Sequence, residues 1–250
     1  MDNSLLLFSG NDIPFIEARL LVHNPTIKEI SFIGEDNFFA GRELINFSKN
    51  NLTEEDKINL KNQTDFDIII AILKERKAVM QKNRDCVLMI LALLFPEYTI
   101  DIQNKQIVLT HEKTKENAYI NNDNFNAFRN LFNNLFPFEL GTDSIKQEFN
   151  PQGSLAKKIA DKLKKARQKV AEVKTQKQNK KINILGKYIS ILAIGEQKDI
   201  NNLFDYTVYQ LLDEFKRYEL KMNYDIYIQA RMAGAKDEKE IEDWMQDIHE

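Results

Sequence analysis

Asp85-Cys-Val-Leu-Met-Ile-Leu-Ala-Leu-Leu94 is apolar on nearly every side of a helix. A helix that is hydrophobic all round must be covered all round, so the segment predicts a central buried helix for the N-terminal half. Pro96 stops it, because proline has no N–H to continue the ladder. The apolar run from Cys86 to Phe95 is about half of the ~20 residues a bilayer span needs, so it reads as core and not as membrane. Cys86 is the one cysteine of the chain. It can form no disulfide within one chain, which fits a reducing compartment, and it reads as a small buried hydrophobe.

Working upstream, Asp65 to Gln81 predicts a second helix, with Phe66, Ile69, Ile70, Leu73 and Val79 at helical spacing. Thr53-Glu-Glu-Asp56 supplies a cap and acids for a helix start, and 36–49 predicts another helix. Thr26, with Glu29 three residues on, has the pattern of a capping box, and Gly34 ends that short helix. Residues 4–10 and 13–23 read as two extended segments joined by a turn at Ser9-Gly-Asn-Asp12, an N-terminal β-hairpin. The opening residues lack a basic stretch, and Leu5 to Phe8 is too short for a signal peptide, so no classical export signal is expected.

Downstream, Tyr98 to Ile102 and Gln106 to Thr110 are rich in β-branched residues and flank a polar turn, Gln103-Asn-Lys105. That is a hairpin pattern, to which Ala118-Tyr-Ile120 adds a short third strand. Residues 122–136 return to helical spacing through Phe125, Phe128, Leu131, Phe132 and Leu135. Residues 137–153, with Gly141, Pro151 and Gly153, read as a linker.

Beyond it the character changes. Residues 155–181 hold 11 Lys and Arg against 2 acids, with a thin apolar stripe through Leu155, Ile159, Leu163, Ala166, Val170 and Val173. This predicts a long basic amphipathic helix with the seam of a coiled coil. Ile182 to Ile194 is strongly apolar, with Gly195 as a C-cap. Phe204, Val208, Leu211, Phe215, Tyr218 and Met222 predict a helix over 205–233, and 236–249 predicts a short acidic one carrying Trp244. The fold class that follows is mainly α with small β-hairpins: an α+β domain over 1–140 and an all-α domain over 154–250.

No residue pattern in the chain selects a particular chemistry. His23, His111 and His249 have no second His or Cys at metal-ligand spacing. The acids of 237–247 do not follow a calcium loop and read as a solvated helix face. With 8 glycines in the chain, neither the phosphate-binding loops nor the G-x-S-x-G elbow occurs. The expectation is a protein with no catalytic residues, no cofactor and no metal.

Two surfaces are left as binding candidates. The first is aromatic: Tyr206, Tyr209, Tyr224, Tyr227 and Trp244, with Arg231. Their plain reading is helix core; their functional reading is a protein-binding face, because Tyr and Trp join an apolar body to a polar tip. Tyr224, Tyr227 and Arg231 lie off the main stripe and are the better interface candidates. The second is the basic surface of Lys157, Lys158, Lys162, Lys164, Lys165, Arg167 and Lys169. Such a face suits phosphate backbones, an acidic protein, or solvent alone. The net charge of −3 and the lack of aromatics in this stretch disfavour nucleic acid as the partner. The acidic segment 237–250, with 7 acids against one Lys, can neutralise the basic helix within a chain or between copies, which keeps a homo-oligomer open.

The run Pro25-Thr-Ile-Lys-Glu-Ile30 followed by Ile33-Gly-Glu35 resembles the opening of small proteins from tail-morphogenesis regions of bacteriophages. Thr207-Val-Tyr-Gln-Leu-Leu212, Phe215-Lys-Arg-Tyr218, Ala233-Gly-Ala-Lys236 and Trp244 fit the same pattern. The resemblance is to tail assembly chaperone proteins of long-tailed phages infecting low-GC Gram-positive hosts, and it covers the two ends of the chain. It implies a non-catalytic protein of the host cytoplasm that binds the tape measure protein or tail tube subunits. The basic helix and the central hairpin have no match in that family. They leave room for a structural virion component, such as a connector or tail-completion protein, and for a nucleic-acid-binding regulator.

Overall fold

The structure is a computed structural model that describes residues 4–49, 62–74, 78–138, 183–233 and 244–245. The mainly helical reading, with small antiparallel sheets in the N-terminal half and helices after it, is what the chain adopts.

The first segment departs from expectation. Ser4–Ser9 is a helix, α1, and not a strand. A run of four apolar residues has no period to choose between the two states. Gly10, at φ 73°, closes the helix by donating its N–H to the Leu7 carbonyl at 3.2 Å. The hairpin lies wholly downstream: β1 (Ile13–Phe15) pairs antiparallel with β2 (Leu20–Val22), and Ile13, Phe15, Leu20 and Val22 point into the core. Arg19, at φ 54°, takes the left-handed turn residue between them.

The capping box at Thr26 forms as read. Glu29 N–H donates to Thr26 Oγ1 at 3.2 Å, and Thr26 N–H donates to Glu29 Oε2 at 2.7 Å. It starts α2 (Ile27–Ile33), followed by α3 (Glu35–Ile45), which stops short of the expected Lys49. Of the helix expected over 65–81, Asp65–Lys74 is α4 and 78–81 belong to α5 (Ala78–Leu94), with 75–77 outside the described residues. In α5, Cys86, Val87, Ile90, Leu91 and Leu94 are buried, which makes it central as expected. It is not covered all round, since Met89 and Ala92 are exposed.

After α5 come β3 (Tyr98–Gln103), β4 (Gln106–His111) and β5 (Asn117–Ile120), one antiparallel sheet in that order. Asn104 and Lys105 both take positive φ, as a two-residue hairpin loop requires. Then α6 (Phe125–Leu135) supplies a ladder of rings. Phe125 meets Phe66 of α4 at 4.9 Å, and Phe128 meets Phe15 of β1 at 6.0 Å and Phe95 at 6.2 Å. Phe136, just past the helix, meets Phe38 of α3 at 5.0 Å.

The C-terminal segment forms α7 (Ile184–Gly195), α8 (Ile200–Phe204) and α9 (Val208–Met232). Glu35 of α3 caps α7, accepting from the N–H groups of Ile184 and, at 2.9 Å, Leu185. Thr207 starts α9 with a second capping box, closed by Gln210. The two capping threonines, Thr26 and Thr207, form an antiparallel bridge, and Ile27 N–H donates to the Tyr206 carbonyl at 2.8 Å. The sequence suggests a break between 1–140 and 154–250, yet Met1–Pro137 and Ile184–Glu250 fall in one compact unit. Shared caps and a shared bridge tie them. The linker 137–153 beyond Phe138 and the basic helix fall outside the described residues, as does the helix expected at Thr53.

Candidate functional site

α9 is 25 residues long. At 1.5 Å per residue it reaches about 37 Å, the width of a small domain. Its first half is anchored: Val208 and Leu211 are fully buried, and Tyr188 of α7 packs on Phe215 with ring centroids 4.4 Å apart. Gly195 at the end of α7 is where Tyr218 lies; a Cβ there would come within 2.3 Å of the Tyr218 ring. Leu220 is the last described residue of the helix that is buried.

Past Leu220 the stripe continues without a cover. Met222 is 41% exposed, Ile226 58% and Met232 84%. Tyr224 and Tyr227 are half-buried on this outer half, as the sequence places them. Arg231 Nη1 donates to Tyr227 Oη at 2.8 Å and lies 5.5 Å from the ring centroid, which holds the phenol rigid at the surface. Tyr227 and Arg231 are thereby brought together. Met222 is the last residue of the stripe read from the sequence; Ile226, one turn further on the same face, is not singled out there, though its spacing continues the pattern.

The other aromatic candidates divide. Tyr209 is 8% exposed and belongs to the core, the plain reading of this set. Tyr206 stands at the other end of the helix, where its hydroxyl accepts from Lys198 Nζ at 3.3 Å. Lys198 also pairs with Glu196 at 3.1 Å and with Glu214. Burial works against the Lys198 ammonium, but the bonds to Glu196 and Tyr206 outweigh it and hold its pKa above the usual lysine value. Trp244 is half-buried and lines a cavity with Tyr206 and Tyr218. Lys157, Lys158, Lys162, Lys164, Lys165, Arg167 and Lys169 lie outside the described residues.

A larger cavity of about 780 Å³ is lined by His23, His111, Phe15 and Tyr98, among others. Both imidazoles are committed to local structure. His23 meets Asp12 at 2.9 Å through Nδ1 and Glu29 at 3.1 Å through Nε2. His111 Nε2 meets Glu97 at 3.3 Å, while its Nδ1 accepts from the N–H groups of Lys113 and Thr114. Each ring has both nitrogens in hydrogen bonds within the chain. Burial pushes the Cys86 thiol up, which keeps it in its unreactive protonated form. Among the described residues no three His, Cys, Asp or Glu side chains group to hold a metal ion, and no helix is long and apolar enough to cross a membrane.

Residues 175–249 match the family described as the YomV second domain, a phage-associated protein. The match takes in α7, α8, α9 and Trp244, and none of the N-terminal sheets. No curated protein and no solved structure matches the chain.

Proposed function

We propose that the chain is a non-catalytic phage assembly factor that docks a helical partner on the outer half of α9. The carrying observation is the apolar line of Val208, Leu211, Phe215 and Tyr218, which continues along the same face, exposed, at Met222 and Ile226. An amphipathic partner helix can lay its own apolar face along such a stripe, and Tyr224 and Tyr227, off the stripe on the same outer half, can meet a partner that reaches round the helix. The phage association of residues 175–249 supports this setting. On this reading the protein is a tail assembly chaperone, and the partner is the tape measure protein or a tail tube subunit, bound in the host cytoplasm.

Co-expression with tape measure fragments tests the assignment. The chain is expected to co-purify with them and to be missing from finished particles. Mass spectrometry that finds it in virions at stoichiometric amounts overturns the chaperone role in favour of a structural component. At residue level, Tyr227→Ala is expected to weaken capture at least tenfold, about 1.4 kcal/mol. Its effect on stability should stay near 0.5 kcal/mol, as for an ordinary surface change. A collapse of the melting temperature makes Tyr227 core and removes it from the face.

A further inference from the structure

The cavity beside Trp244 has a chemistry that an apolar docking stripe does not require. It holds about 490 Å³, and its wall joins the rings of Tyr206, Tyr218 and Trp244 to the carboxylates of Glu196, Asp213 and Glu214. The acids lie deeper than the bases around them. The side chains of Asp213, Glu214 and Glu196 are 5%, 21% and 27% exposed, against 32% for Lys198 and 39% for Arg217. Lys221 stands exposed among the lining residues. Charges nearer the surface are screened more, so the inner cavity keeps a negative bias.

The described pairs leave an oxygen of Glu214 over. Lys198 serves Glu196 and the Oε1 atom of Glu214, and Arg217 Nε faces Asp213 Oδ2 at 3.6 Å. Glu214 Oε2 is buried and has no hydrogen-bond partner. A buried carboxylate oxygen without a donor is a standing cost that an incoming N–H group removes.

We infer that this cavity seats the guanidinium tip of an arginine side chain carried by the partner protein. A guanidinium is planar and weakly hydrated; it stacks on aromatic faces while its fork of N–H groups donates in plane. Here Trp244 and Tyr218 are the aromatic side chains of the wall, and Glu214 Oε2 is the acceptor. The seat lies on the same helix as the docking stripe, at its anchored end. The partner helix therefore carries an arginine displaced along its axis from the apolar residues that meet Met222 and Ile226. The inference rests on the docking reading of α9 but fails separately from it.

Trp244 is the one tryptophan of the chain, so its fluorescence reports on the cavity alone. The full chain is titrated with N-acetyl-arginine amide and, in parallel, with N-acetyl-citrulline amide, a neutral analogue of the same shape. The expected result is a saturable change with the arginine compound, with at least tenfold weaker binding of citrulline. Glu214→Gln should weaken arginine binding by a similar factor. No saturable change, or equal binding of the two compounds, overturns the inference. The citrulline comparison uses the unaltered chain, so it decides the matter even if Glu214→Gln unfolds. If Met222→Asp with Ile226→Asp abolishes partner capture while arginine has no effect on Trp244, the cavity assignment falls and the docking face stands. If arginine binds and capture ignores those substitutions, the cavity assignment stands and the docking face falls.

Discussion

Two glycines separate a backbone constraint from a side-chain one. A Cβ at position 41 would lie 2.7 Å from the Cys86 carbonyl oxygen and 2.7 Å from Ile90 Cδ1, so α3 and α5 can approach only because Gly41 has none. Backbone cannot swing aside. Gly41→Ala is expected to cost about 1–3 kcal/mol, read as a lower urea midpoint at unchanged slope. At Gly195 the obstacle is the Tyr218 ring, a side chain at the edge of a cavity, and Gly195→Ala should cost less than Gly41→Ala. A second residue-scale effect is set by acid. Asp65 is partly buried, which works to raise its pKa. The Lys49 N–H at 3.0 Å and Arg129 at 3.1 Å outweigh that and hold it below the usual carboxylate range. A carboxylate with a lowered folded pKa adds stability above its unfolded pKa, near 3.9 for Asp, and loses it as pH falls through the folded value. Urea titrations at pH 7 and pH 3 should show Asp65→Asn destabilised at the higher pH and closer to the parent at the lower one. An equal deficit at both would show that the carboxylate charge is not what Arg129 and Lys49 hold.

At the scale of elements, α6 is where sequence and structure agree most closely. Phe125, Phe128, Leu131, Phe132 and Leu135 are all buried, as their spacing requires. The ladder joins α4, β1, α3 and the end of α5 through ring contacts, so Phe128→Ala should cost about 3–5 kcal/mol in denaturant unfolding. A value under 1 kcal/mol would mean that the ladder does not organise the core. Strong periodicity made this element legible, as it did the stripe of α9 and the two strands of the central hairpin. What stayed hidden had no period or depended on distant partners. The Leu5 to Phe8 run was too short to choose helix over strand. Tyr209 and Tyr224 look alike as residues of one helix, and only the end of the body beneath α9 makes one core and the other surface. The Glu35 cap on α7 joins residues about 150 positions apart, and no local pattern carries it. Removing it in Glu35→Ala should cost about 1 kcal/mol, in line with other lost N-caps.

For the whole molecule, the decisive feature is that one helix belongs both to the body and to the surface. Caps, bridge and apolar contacts tie 184–220 to the N-terminal half, so heat or urea should unfold both in one transition, whichever part of the chain carries the probe. The outer turns of α9 share little of that protection, because no described residue after Leu220 is buried. Local opening costs least where few apolar contacts must break. Hydrogen exchange followed by mass spectrometry should therefore show a gradient along one continuous helix: slow amides over 211–220, fast ones over 223–232. If α9 docks a partner helix through its outer stripe, adding that partner should slow 223–232 and leave the anchored half nearly unchanged. Slow exchange of the outer half in the free protein would mean that something in this chain already covers the stripe, and the docking face would have to be sought elsewhere.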